Sequence, residues 1–228
     1  MSKLFSTDSL LWRALSKMTD LIWLNILFVV CSIPIFTIGA SLSAMYSVTF
    51  KMTVGEEGAI SQDFFKAFRE NFKQATILWL IMLGIGIFIV VDLFFAAYLP
   101  GAFRDGAHIL LAVIGVLYLL TFSYVFPLQS RFINPIKLTM LNALVISTKH
   151  LFPSSIAATF LTAIPGLIVA FLPHLIIDLL PIIVLFLFAG IAFVVSKILR
   201  PIFQKYIDLQ AQRQQEEAQQ KELQDDPH

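Results

Sequence analysis

The stretch LIWLNILFVVCSIPIFTIGASLSAMYSVTFKMTVGEEG, residues Leu21 to Gly58, begins like a membrane span. It then meets Ile33-Pro34, loosens at Gly39-Ala40-Ser41, and runs apolar to Lys51 before a doubly acidic Gly-Glu-Glu-Gly turn. Wound as one helix, Leu21–Val48 would extend about 42 Å, against a hydrocarbon core of about 30 Å. Proline removes a backbone donor and clashes with the preceding turn, so a change of direction over Ile33–Gly39 has a cause. Two readings stand. In one, Pro34 and Gly39 are the hinge of a broken helix pair, with limbs at about Leu21–Ile33 and Ala40–Thr53. In the other, the block is one long, tilted, proline-kinked span.

Working outward, the rest of the chain is as apolar as this block. Of 228 residues, 58% are hydrophobic and 14% charged, with a mean hydropathy of +0.83. A soluble domain carries roughly a quarter of its residues charged, so this chain lacks the polar groups to cover a water-facing surface. The apolar residues fall in five blocks, at about 21–48, 76–98, 107–128, 154–172 and 174–199. Each is about as long as a helix needs to cross a bilayer. Lipid offers no hydrogen-bond partners, so a spanning chain is helical or a closed barrel, and the alternation of a barrel strand is missing. The fold class expected is all-α: a polytopic helical membrane protein, with one membrane domain over 1–205 and a polar, Gln-rich tail over 206–228. The tail should extend the last helix for a few turns and then fray. Cys31 is the only cysteine, so no intrachain disulfide forms.

Basic residues sort by connector. If the first block enters the membrane and returns, 15 lie on one side and 1 on the other; if it crosses once, the division is 12 against 4. The positive-inside rule favours the sharper sorting and places the carboxyl terminus in the cytoplasm. The side of the amino terminus depends on which reading of the first block holds.

Three connector segments have helical periodicity of their own. Residues 7–20 read as a short amphipathic helix with Leu11, Leu15 and Met18 on one stripe and Trp12 at headgroup level. In 61–75, Ser61 is an N-cap candidate, and Phe64, Phe65, Phe68 and Phe72 share a face opposite Lys66, Arg69 and Lys73. That pattern suits a helix bedded in an anionic leaflet; an ordinary connector packed under the bundle would show it too. Asn134-Pro135 is a helix start, and over 135–150 Ile136, Met140, Leu144 and Val145 form the expected buried stripe, with Lys137, Asn142 and Lys149 wet.

Ionisable groups inside spans are costly and draw attention to Asp92, His174 and Asp178, with Arg104, Asp105 and His108 in the adjacent connector. They suggest a polar cluster at the outer mouth, or boundary residues in contact with water. No H-E-x-x-H, Walker A or Gly-x-Ser-x-Gly pattern occurs. The reading is therefore of a non-enzyme with no cofactor, no metal ligands and no nucleic-acid partner.

The runs CSIPIFTIGASLSAMYSVTFKMTVGEEG, FFKAFRENFKQATILWLI and FINPIKLTMLNALVIS together resemble the YesL family of bacterial membrane proteins, whose function is unknown. The likeness is most specific over Asn25 to Ile81. It implies a multi-pass protein of the bacterial cell membrane, and a role near carbohydrate uptake, because such genes often lie beside those of ABC-type sugar transporters. It brings no catalytic residues. The expected function is a non-enzymatic accessory or assembly factor whose partners are the bilayer and ABC-type sugar transporter subunits. The alternative is a small transporter or channel component with its site near the outer ends of the spans.

Overall fold

The computed structural model describes residues 10–149, 154–171 and 180–225, and among them there is helix and no strand. In chain order the helices are α1 (Leu10–Cys31), α2 (Ile38–Val54), α3 (Ile60–Ala96), α4 (Gly101–Gln129), α5 (Ile136–Lys149), α6 (Ile156–Phe171) and α7 (Phe188–Asp225). A 3-10 turn at Ile35–Thr37 precedes α2, and a π turn at Ile183–Leu187 precedes α7.

The first block is broken, not kinked. α1 ends at Cys31, Pro34 is extended at φ −74° and ψ 116°, and α2 starts four residues later. Thr37 Oγ1 lies 2.6 Å from the carbonyl oxygens of both Cys31 and Pro34, so its hydroxyl ties the end of α1 to the turn before α2. Lys17 Nζ, near the start of α1, donates to Met52 O near the end of α2 at 3.2 Å. The two helices therefore run antiparallel as a hairpin, which removes the single tilted span.

Among the described residues, three helices are long and apolar enough to cross a membrane: Ile60–Ala96, Gly101–Gln129 and Leu180–Leu209. The five expected segments are matched only in part. α1 and α2 divide the first block between them, and α2 spans 17 residues, about 25 Å. α6 is described over 16 residues and runs up to residues outside the described set.

Helix continuity corrects two further boundaries. Residues 10–20 continue into the apolar limb of α1, and 61–75 continue into 76–96 as one 37-residue α3. Neither junction holds a glycine or proline to stop the helix, so the amphipathic segments are extensions of their neighbours and not separate surface helices. Arg104, Asp105 and His108 likewise belong to the first turns of α4, not to a connector. The tail continues α7 as helix to Asp225, where fraying was expected.

α2 packs most extensively against α3. Small residues make this contact close: a Cβ on Gly39 would lie 2.3 Å from Ala75 O and 2.5 Å from Trp79 Cβ. The packed core gathers Leu24, Met45, Phe64, Leu78, Tyr124 and Phe203 from α1, α2, α3, α4 and α7. Beyond it, the second half of α3 and the first half of α4 stand open. Phe88, Val90, Phe103 and Ile109 are 66%, 67%, 77% and 68% exposed.

On α5 the most deeply buried residues are Thr139, Ala143, Ile146 and Ser147; of the expected stripe, Ile136 and Met140 pack partly buried against the core, Leu144 is half-buried and Val145 is exposed. Thr139, Ala143 and Ser147 are small or short side chains, and they let α5 approach α4 closely; Leu138, Leu141 and Val145 face outward. Small side chains therefore share the inner face of α5 with part of the expected apolar stripe.

Candidate functional site

The turn at the base of the first hairpin is built by charge and glycine together. Gly55 ends α2 in the left-handed region at φ 74°, which glycine adopts without steric cost. Asp63 then ties the turn to α3. Its Oδ1 lies 2.6 Å from Lys51 Nζ, and its Oδ2 accepts from the Gly58 N–H at 3.1 Å. Asp63, not Ser61, thus secures the start of α3. Ser61 Oγ instead accepts from Trp23 Nε1 at 2.7 Å and links α1 to α3. The Gly-Glu-Glu-Gly sequence is the reversal that sends the chain from α2 into α3.

The four phenylalanines expected on one lipid-facing stripe divide. Phe64 is fully buried, Phe68 packs against the core, and Phe65 and Phe72 are 39% and 37% exposed. Their rings form a chain of contacts, Phe64–Phe68 at 6.1 Å and Phe68–Phe72 at 5.4 Å. Lys66, Arg69 and Lys73 are exposed beside them.

Above this base lies a cavity of about 450 Å³. Phe28 and Met45 of the first hairpin form one wall, Trp79 and Phe122 another, and Pro165, Gly166 and Ile191 close it from α6 and α7. Aromatic contacts set its shape: Phe28–Phe188 at 5.0 Å, Trp79–Phe122 at 6.3 Å and Tyr118–Phe122 at 6.0 Å. Two hydroxyls on the wall, those of Tyr118 and Thr162, are engaged with protein, while the Trp79 indole N–H is buried without a partner. Tyr118 Oη donates to Met82 O at 3.1 Å, and Thr162 Oγ1 lies 2.8 Å from Ser123 Oγ. Gly86 lets Tyr118 approach, since a Cβ there would sit 2.8 Å from the Tyr118 hydroxyl.

Asn25 positions the far wall. Fully buried on α1, it accepts from the Ala189 backbone N–H at 2.7 Å, immediately after the π turn of Ile183–Leu187. A π turn shifts the hydrogen-bond register and leaves backbone groups needing partners. Sequence reading passed over Asn25; a polar amide in the midst of LIWLNILFVV was its one signal.

A second recess, of about 230 Å³, sits at the other end of α2 between Phe50, Arg131, Arg200 and Glu56. Arg200 Nη1 donates to Thr53 O at 3.0 Å, and the Arg131 guanidinium lies 5.5 Å from the Phe50 ring centroid. Both arginines offset the negative ends of helices, α2 and α4, and Glu56 adds a carboxylate. The recess is close to electrically balanced and does not define an anion site.

Of the expected outer cluster, Asp92 alone falls among the described residues. Asp92 is half-buried on α3, while His174 and Asp178 lie outside the described residues. Arg104 pairs with Asp105 at 3.6 Å on α4. No group of three or more His, Cys, Asp or Glu among the described residues is placed to hold a metal ion.

Over the described residues the architecture is all-helical, with three helices long and apolar enough to cross a membrane and a broken hairpin packed against them. Residues 21–93, the hairpin and most of α3, match a family described as "Protein of unknown function, DUF624". No curated protein and no solved structure matches the chain.

Proposed function

We propose that the protein is a non-enzymatic integral membrane protein of the bacterial cell membrane that acts by association, as an accessory or assembly factor for a carbohydrate-uptake transporter of the ABC type. The observation that carries the associative reading is the openness of α3 and α4. Their outer halves present large apolar side chains, among them Phe88, Phe103 and Ile109, over most of their circumference. Helices of this kind accept either lipid or the transmembrane helices of another protein as neighbours. The sugar-uptake part rests on the resemblance of residues 25–81. In the same proposal the basic ends of the helices and the α7 tail face the cytoplasm, in keeping with the sorting of Lys and Arg.

A small transporter component is the second reading, favoured by the broken hairpin beside an internal cavity. The walls of that cavity oppose a sugar as its cargo. A sugar needs many convergent polar groups, and this lining is dominated by phenylalanine, methionine, leucine and isoleucine.

Mild-detergent copurification from native membranes tests the leading reading. Permease or ATPase subunits of a sugar importer should come with the protein and be lost when the outer face of α3 carries bulky polar residues. Recovery of the chain free of any transporter subunit would refute the association. Sugar or ion flux in vesicles containing the pure protein would move the assignment to the second reading.

A further inference from the structure

We infer that the 450 Å³ cavity is a binding site for one hydrocarbon chain of a membrane lipid, held between the broken hairpin and the α3–α4 and α6–α7 pairs. Its volume falls within the roughly 300–1,000 Å³ of small-molecule sites. Water does not suit it, because a buried water needs two to four polar partners. The Tyr118 and Thr162 hydroxyls already bond to Met82 O and to Ser123 and Ala158, and Trp79 Nε1 adds a buried donor without a partner, on its own short of the two groups a water needs. A dry void of that size would forfeit the contacts of every side chain around it. An apolar chain restores those contacts and needs no hydrogen bond.

The source of such a chain is adjacent. Wall residue Leu119 is 41% exposed, and next to the wall on the same helices Leu80 and Phe160 are 49% and 68% exposed. In a bilayer these surfaces meet acyl chains directly. Gly166, on the wall, adds an opening: a Cβ built there meets nothing within 4 Å. The site is also held in shape, since Asn25 fixes α7 just beyond Phe188, and the Phe188 ring packs tilted against Phe28.

Trp79 supplies the probe. It lines the cavity and is half-buried, so bromine reaches it most effectively from a chain lying inside. The full chain with Trp12→Phe and Trp23→Phe is reconstituted in vesicles of phosphatidylcholine carrying brominated acyl chains. Trp79 fluorescence should be strongly quenched. Gly166→Phe or Ala163→Phe, which fill the cavity, should abolish most of that quenching. Gly115→Phe, placed in open space on α4 away from the cavity, should leave it unchanged. A second arm adds brominated fatty acid to unbrominated vesicles. Quenching in the first arm alone identifies a phospholipid chain as the occupant, and quenching in the second identifies a free single chain. If Trp79 is unquenched in both arms, or if neither filling variant changes the quenching, the inference is wrong.

Discussion

The molecule contains two helical hairpins that solve opposite problems. α1–α2 turns at a proline, presents small and polar residues inward, and buries Gly39, Ser41, Ala44 and Thr49 completely or nearly so. α3–α4 turns at Pro100-Gly101, and beyond the core it exposes leucine, isoleucine and phenylalanine along both helices. The first hairpin takes its stability from close contact with protein. The second, in its outer half, takes it from the surrounding medium. In water the second arrangement would aggregate; in lipid it is the ordinary solution, because association between spans follows from packing of small residues and not from hydrophobicity.

That contrast can be broken most severely at Gly39. Gly39→Leu should cost about 3 kcal/mol or more, because the side chain meets Ala75 O and Trp79 Cβ well inside contact distance. Gly84→Leu, in open space on the outer part of α3, should stay within about 0.5 kcal/mol. Thermal unfolding in detergent measures both, and equal losses would erase the distinction between the hairpins. Next in size is Asn25→Leu. It keeps the volume but leaves the Ala189 N–H without its acceptor, for a loss of about 1–3 kcal/mol. Hydrogen exchange at Ala189 should rise in the same variant.

Ion pairs give a smaller version of the comparison. Asp63→Asn removes the partner of Lys51 at the base of the first hairpin and should cost about 1 kcal/mol. Asp105→Asn, in the exposed 3.6 Å pair of the second, should change stability negligibly. The least effect belongs to Asp20. Burial, with the nearby Glu57 carboxylate adding to it and Lys17 opposing, raises its carboxyl above the ordinary value of 3.8. A raised acid favours the folded state while it holds its proton, so this contribution is present at low pH and disappears as pH rises through the folded-state value. Asp20→Asn should therefore raise the melting temperature slightly at neutral pH and leave it unchanged in acid. A lower melting temperature at neutral pH would show that Asp20 is stabilising as a carboxylate.

The sequence made the helical class legible because charge scarcity and block length act over many residues at once. The break at Pro34 was legible for a covalent reason, the absent N–H. Continuity was harder to see: nothing in the polar-to-apolar change at Lys73–Thr76 tells whether a helix stops there, and only the absence of glycine and proline argues that it does not. The face of α5 was legible in part: Ile136 and Met140 do pack against the core, but Thr139 and Ala143 are buried more deeply, since small side chains permit close approach. The cavity was not legible at all. Its walls come from six helices, and residues such as Phe28, Trp79 and Gly166 have no local pattern that joins them.

The central claim is that hydrocarbon, not water, surrounds the outer halves of α3 and α4, while the charged base of α3 is wet. A spin label placed in a Cys31→Ser background at Phe88 or at Lys66, in vesicles, tests it through collision with oxygen and with a water-soluble nickel chelate. Position 88 should respond to oxygen and be shielded from nickel, and position 66 should do the reverse. A label at 88 as open to nickel as the label at 66 would contradict the account.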